Sequence, residues 1–147
     1  MAAIASNYSK SREYTVAGHD AWDDEDDICD APADDSEPVI DLVHLARQTL
    51  SDQALEVELL DMFERQSARI LAQLTETRDD DGKIRENLAH TLKGSALSIG
   101  AGRVARAAQL YEAACVTGLR GGALNATLGA LSEAVAEARA TIANLLA

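Results

Sequence analysis

Aromatic residues are scarce in this 147-residue chain: one Phe, one Trp and three Tyr, 3% of the total. Strands draw on aromatic and β-branched side chains, so this shortage disfavours an all-β fold. Cysteine is nearly absent. Cys29 and Cys115 lie far apart in unlike surroundings, which argues against a disulfide framework and makes a reduced, cytoplasmic compartment the expectation. No Cys/His pairing has zinc-site spacing, and no glycine-rich loop ends in Lys-Ser or Lys-Thr, so the chain is not expected to bind a nucleotide or a metal of its own. Basic residues number 13 against 25 acidic, a net charge of −12, which leaves no basic surface for a nucleic-acid backbone. No uninterrupted apolar run approaches the roughly 18 residues of a membrane span. Met1–Lys10 lacks the apolar stretch of a secretory signal.

What the chain has is aliphatic. Apolar residues make up 47%, chiefly Ala, Leu, Val and Ile, and Ala and Leu lead the helix-propensity ranking. At this length one domain with a tail is expected. The composition breaks near Pro38. Residues 1–38 hold Lys10 and Arg12 against eleven acidic residues, a net of −9, and include the run Asp23-Asp24-Glu25-Asp26-Asp27. Such a run repels itself and offers nothing to bury, so 1–38 reads as a disordered acidic segment. It either keeps the chain soluble or binds a partner through Tyr8, Tyr14 and Trp22. His19, among these acids, has no organised ligand spacing.

Residues 39–147 follow a helical period throughout. Val39, Leu42, Val43, Ala46 and Leu50 predict a first short helix started by Pro38, with His44 on its side. Leu55, Leu59, Met62, Phe63, Ile70 and Leu74 predict a second, capped by Ser51 or Asp52 and ended by Asp79-Asp80-Asp81-Gly82. Ile84, Leu88, Leu92, Ser95 and Ile99 predict a third that stops at Gly100. A fourth runs from Gly102 to Val116 on Val104, Ala107, Ala108, Tyr111 and Cys115, with Cys115 as a small core residue. After a loop at 118–122, a fifth carries the seam Leu124, Leu128, Leu131, Val135, Ala138, Ile142 and Leu145. The expected fold is an all-α antiparallel four-helix bundle, with the first helix capping one end.

The third helix carries the unusual chemistry. With Leu92 at the centre of the buried face and about 100° per residue, His90 falls about 160° away, on the outer face. Gly94, one turn on, costs about 1 kcal/mol inside a helix and leaves the space beside the imidazole empty. Lys93 brings a positive charge to the same neighbourhood. Leu97 offers an exposed apolar contact, and Glu86, one turn before His90, either bonds the ring or faces water. A neutral imidazole is populated near pH 7 and can hold a phosphoryl group covalently. A nearby ammonium stabilises the charge on its oxygens. Each residue alone is an ordinary surface residue. Together, opposite the seam, they suit a nucleophile that meets a large partner.

His90-Thr91-Leu92-Lys93-Gly94-Ser95-Ala96, followed by Ile99-Gly100-Ala101, resembles the signature of histidine-containing phosphotransfer (HPt) domains, and with the helix pattern the resemblance spans about 38–146. It implies a phosphorelay intermediate that takes a phosphoryl group from a receiver-domain aspartate and passes it to another, without an ATP site. By position, His90 would be phosphorylated through its outer ring nitrogen, Lys93 would stabilise the phosphoryl group, and Gly94 would keep the approach open. Ser95 would be structural. Leu97 and Glu86 would belong to the docking surface. The partners implied are response-regulator receiver domains or a hybrid histidine kinase, with magnesium supplied by the receiver and no cofactor held by this chain. Such a carrier works as a monomer. Two other readings are a non-catalytic interaction bundle and the phosphoacceptor region of a histidine kinase. That region usually has an acid directly after the histidine and a proline soon after, whereas here Thr91 follows His90 and no proline follows Pro38.

Overall fold

The computed structural model of the chain describes residues 36–78 and 80–147. Most of the acidic segment, and with it Cys29 and His19, lies outside the described residues. Five helices and no strand occur among them: α1 (Leu42–Thr49), α2 (Gln53–Glu76), α3 (Gly82–Ile99), α4 (Gly102–Val116) and α5 (Gly121–Leu146). The start signals are local. Asp41 Oδ1 accepts from the backbone N–H groups of Val43 and His44, both at 3.1 Å, and Asp52 Oδ1 accepts from that of Leu55 at 3.2 Å. Each satisfies donors that a helix start leaves without partners. At the other end of α3, Gly100 takes a left-handed conformation (φ 80°) and its N–H returns to Ala96 and Leu97.

The helices pack in a ring. α2 lies beside α3, α3 beside α4, α4 beside α5, and α5 returns to α2, while α1 leans on α2 and α3. This is an antiparallel four-helix bundle with an additional short N-terminal helix. Its core runs through Phe63, Ile70 and Leu74 of α2, Leu92 and Ile99 of α3, Val104 and Tyr111 of α4, and Leu131, Val135 and Ile142 of α5. Burying each large aliphatic side chain contributes about 1.5–3 kcal/mol before the entropy cost of ordering it.

The buried faces of α3 and α4 are rich in small residues, Ala89 and Ala96 on α3 and Ala105, Ala108 and Ala114 on α4. Small side chains let two helix backbones approach closely. The buried side of α3 is Arg85, Ala89, Leu92, Ala96 and Ile99, and Ile84 is half exposed. That face is turned by about one residue from the one expected on Ile84 and Leu88, because the fit of the alanines against α4 outweighs the larger apolar area of the isoleucine. The same correction applies to α1. It begins at Leu42 and not at Pro38, and Ile40, Leu45 and Thr49 are its buried anchors. Leu42, Val43 and Leu50, expected in the seam, face outward. In α2, Leu60 is buried and Met62 is exposed. α4 has the limits the sequence predicts, and Leu145, at the end of the α5 seam, is 43% exposed.

Arg85 is a buried cation. Its guanidinium donates to the Tyr111 hydroxyl at 2.8 Å through Nη1, to the Arg78 carbonyl at 3.1 Å through Nε, and to the Thr77 carbonyl through Nη2. A helical period has no means of marking this position as interior. The guanidinium is tolerated there because it closes the α2–α3 connection onto α4 with its donors satisfied. At the opposite end, the Asp41 N–H donates to the Gly100 carbonyl at 2.9 Å. A Cβ on Gly100 would stand 2.8 Å from the Asp41 carbonyl oxygen, so glycine is required there both by its backbone conformation and by this close approach.

Candidate functional site

The outer face of α3 follows from its inner one. With Ala89, Leu92 and Ala96 committed to the core, His90 must project outward, and its side chain is 68% exposed. Nδ1 lies 3.0 Å from Glu112 Oε1 on α4. A carboxylate only accepts, so the ring proton belongs on Nδ1 and the lone pair on Nε2. Nε2 has no partner among the described residues. Glu112 itself is largely enclosed, with its side chain 20% exposed.

Lys93 stands one turn on from His90, half-buried, and takes part in no hydrogen bond or ion pair among the described residues. It lines a groove of about 280 Å³ between α3 and α4, together with Gln109, Glu112, Ala113, Val116 and Thr117. Gly94 is exposed, and a Cβ built on it meets nothing within 4 Å. No contact inside the molecule therefore requires glycine at this position; the free space lies outside it. Leu97 is 46% exposed on the same side of α3. Ser95 donates to Gln66 Oε1 at 2.7 Å, tying α3 to α2 behind the site.

Glu86 is not the residue that reaches the ring. It is half-buried and paired with Lys83 at 3.0 Å, three residues away on its own helix. The ring's partner is Glu112, which the sequence reading missed. The signal for it was faint but present. If α3 folds back along α4 about the Gly100–Ala101 corner, His90, ten residues before Gly100, and Glu112, eleven after Ala101, come level. Cys115 is half-buried one turn further along α4 and packs against the core. Burial pushes its thiol pKa up, against the pull of the Tyr111 hydroxyl and the Arg85 guanidinium. That suits a packing role better than a reactive one.

The family model described as Hpt domain matches residues 58–147. The chain belongs to the Hpt domain family. The Hpt match starts inside α2 and takes in α3, α4 and α5 whole, so the Hpt region contains His90, Lys93, Gly94 and Glu112, while α1 and the opening of α2 lie before it. As an Hpt domain the chain serves histidine phosphotransfer in a phosphorelay and works with phosphorelay partners. No curated protein and no solved structure matches it. No helix among the described residues is long and apolar enough to cross a membrane, and no cluster of three or more His, Cys, Asp or Glu side chains among them is arranged to hold a metal ion.

Proposed function

We propose that this Hpt domain carries its phosphoryl group on Nε2 of His90, taking it from the aspartyl phosphate of one receiver domain and handing it to the aspartate of another. The observation that carries the proposal is the imidazole itself, two-thirds exposed on the outer face of α3 with its inner nitrogen held by Glu112. In the loading step the Nε2 lone pair attacks phosphorus. The bond from phosphorus to the receiver's carboxyl oxygen breaks, and that carboxylate leaves with the electron pair. The ring keeps its Nδ1–H and gains positive charge, which the Glu112 carboxylate offsets at 3.0 Å. Lys93 meets the negative phosphoryl oxygens. The bare turn at Gly94 admits the receiver's acidic pocket along the in-line path. Unloading is the same step reversed onto a second receiver.

The chain needs no cofactor in this scheme, since the receiver brings magnesium and the acyl phosphate. It acts as a monomer in the cytoplasm, where receivers and hybrid kinases present their aspartates. Leu97 extends the contact beyond the reacting atoms. The test is transfer of labelled phosphate from a panel of phosphorylated receiver domains. The unaltered chain should take a label that is labile to acid and stable to alkali, as a phosphoramidate is. His90→Gln should fold normally and take none. Label on that variant, or acid-stable label on the parent, would refute the assignment.

A further inference from the structure

Residues 36–49 form an arm that holds the rest of the bundle from outside. The Glu37 carbonyl accepts from Arg103 at 2.8 Å, and its carboxylate pairs with Arg106. The Asp41 N–H donates to the Gly100 carbonyl at 2.9 Å, Thr49 donates to Glu56 Oε1 at 3.1 Å, and Ile40 and Leu45 join the core. The α3–α4 corner is fitted to this arm. A Cβ on Gly100 would collide with Asp41, and one on Gly102 with the Glu37 carboxylate. Arg103, Arg106, Gly100 and Glu56 all lie outside the arm, so an identical arm from a second copy would satisfy each of them equally.

The link from the arm to α2 is short and strained. Leu50 and Ser51 have φ of 54° and 62°, in the left-handed region that non-glycine residues rarely occupy. Packing does not hold Leu50 there, since it is 90% exposed. With both residues in the ordinary helical conformation the strain is gone, and α1 runs on into α2. Leu50, Ala54 and Val57, spaced i, i+4 and i+7, then share one face. In the present chain all three are exposed. An apolar stripe that only the straightened chain assembles, next to a strained two-residue hinge, marks an arm able to change places.

We propose that the chain has a second, dimeric state in which two copies exchange residues 36–49. Leu50 and Ser51 straighten, each arm seats on the α3–α4 corner of the other copy, and the Leu50–Ala54–Val57 stripes meet at the two-fold axis. The corner thus has the same occupant in both states, from its own chain in the monomer and from the second copy in the dimer. His90 lies outside the arm, so each bundle keeps its own outer α3 face in either state. The exchange goes beyond the phosphotransfer reading and does not rest on it.

Two full-length variants test the exchange, Glu37→Lys in one chain and Arg106→Glu in another. Each alone sets like charges against each other at the corner. In an exchanged heterodimer the unaltered Glu37 of one chain meets the unaltered Arg106 of the other, and the two introduced charges, of opposite sign, meet at the second corner. Native mass spectrometry of the mixture should show the heterodimer in clear excess over both homodimers. Two separate monomers, or a statistical mixture of dimers, overturns the exchange. Ser51→Gly tests the hinge. It relaxes the closed link and favours a straight helix less, so dimerisation should weaken by about tenfold per chain relative to the unaltered protein. The arm's effective concentration at its own corner is on the order of millimolar for so short a link, so light scattering is read at or above that protein concentration. An unaltered chain that stays monomeric there, or a dimer indifferent to Ser51→Gly, overturns the proposal. No readout involves phosphate, so this outcome and that of the phosphotransfer assay are told apart.

Discussion

Glu112 shows how much chemistry one side chain adds at the residue scale. Without it the His90 ring would spin and share its proton between two nitrogens; with it, one nitrogen is held by the carboxylate and the other is left open on the outer face, which is the nitrogen the proposed transfer uses. Tyr111, the preceding residue, does an opposite job. Its hydroxyl is buried and accepts from Arg85 at 2.8 Å. Burial raises its pKa, with the guanidinium pulling the other way. The neutral phenol is therefore the form the fold prefers. Stability from this group is complete below the ordinary tyrosine range of about 10 and drains away as pH climbs through the raised folded value. Tyr111→Phe should cost about 1–3 kcal/mol at neutral pH, because a buried Arg85 donor loses its acceptor. The same variant should lose less of its remaining stability above about pH 10 than the parent does. Denaturant melts at neutral and alkaline pH check both statements, and an unchanged alkaline loss would remove Tyr111 as its source.

Two glycines of α3 make opposite predictions at the scale of the element. Gly94 sits in the middle of the helix with open space around it, so nothing offsets its poor helix propensity within the fold. Gly94→Ala should stabilise the bundle by about 1 kcal/mol, raising its melting temperature by roughly 4 °C. Gly94→Leu should slow phosphoryl transfer by obstructing the receiver while the bundle stays folded. Gly100, at the end of the same helix, has a positive φ of 80° and the Asp41 carbonyl against it. Gly100→Ala should therefore destabilise by about 1–2 kcal/mol from the backbone conformation alone, with the collision adding to it. Thermal melts beside transfer rates separate the two positions: under the proposed function Gly94 serves the partner, while Gly100 serves the corner. If Gly94→Ala proved as damaging to stability as Gly100→Ala, that division would be wrong. The same helix shows why its register was hard to see. Ile84 offers more apolar area than Ala89, yet Ala89 is the one buried, since only a small side chain permits the close α3–α4 contact.

The whole molecule includes more of the N-terminal side than composition suggests. Glu37 lies on the acidic side of Pro38, yet its backbone carbonyl accepts from Arg103 at 2.8 Å and its carboxylate pairs with Arg106 at the start of α4. A negative charge there also suits the positive end of the helix. Deleting residues 1–35 should leave the helical signal and melting temperature close to those of the full chain. Deleting 1–38 should lower the melting temperature, because Arg103 and Arg106 lose these acceptors. Circular dichroism melts of the two truncations decide it, and equal melting temperatures would show that Glu37 contributes nothing to the bundle.

Read by itself, the sequence determined that residues 39–147 form helices without strands, that α4 spans Gly102–Val116, that α3 stops at Gly100, and that His90, Lys93 and Gly94 share an outer face. These are local matters. Helical period, capping chemistry and glycine conformation act within a turn or two, so neighbouring residues state them directly. Only the tertiary structure decided that Glu112 holds the ring, that Arg85 is interior, that Leu42 and Val43 of α1 face outward, and that Glu37 belongs with α4. Each depends on which backbones approach closely enough to touch across 22 or more residues of sequence, or on which face of a short helix finds room, and packing between helices sets those distances where no local pattern records them.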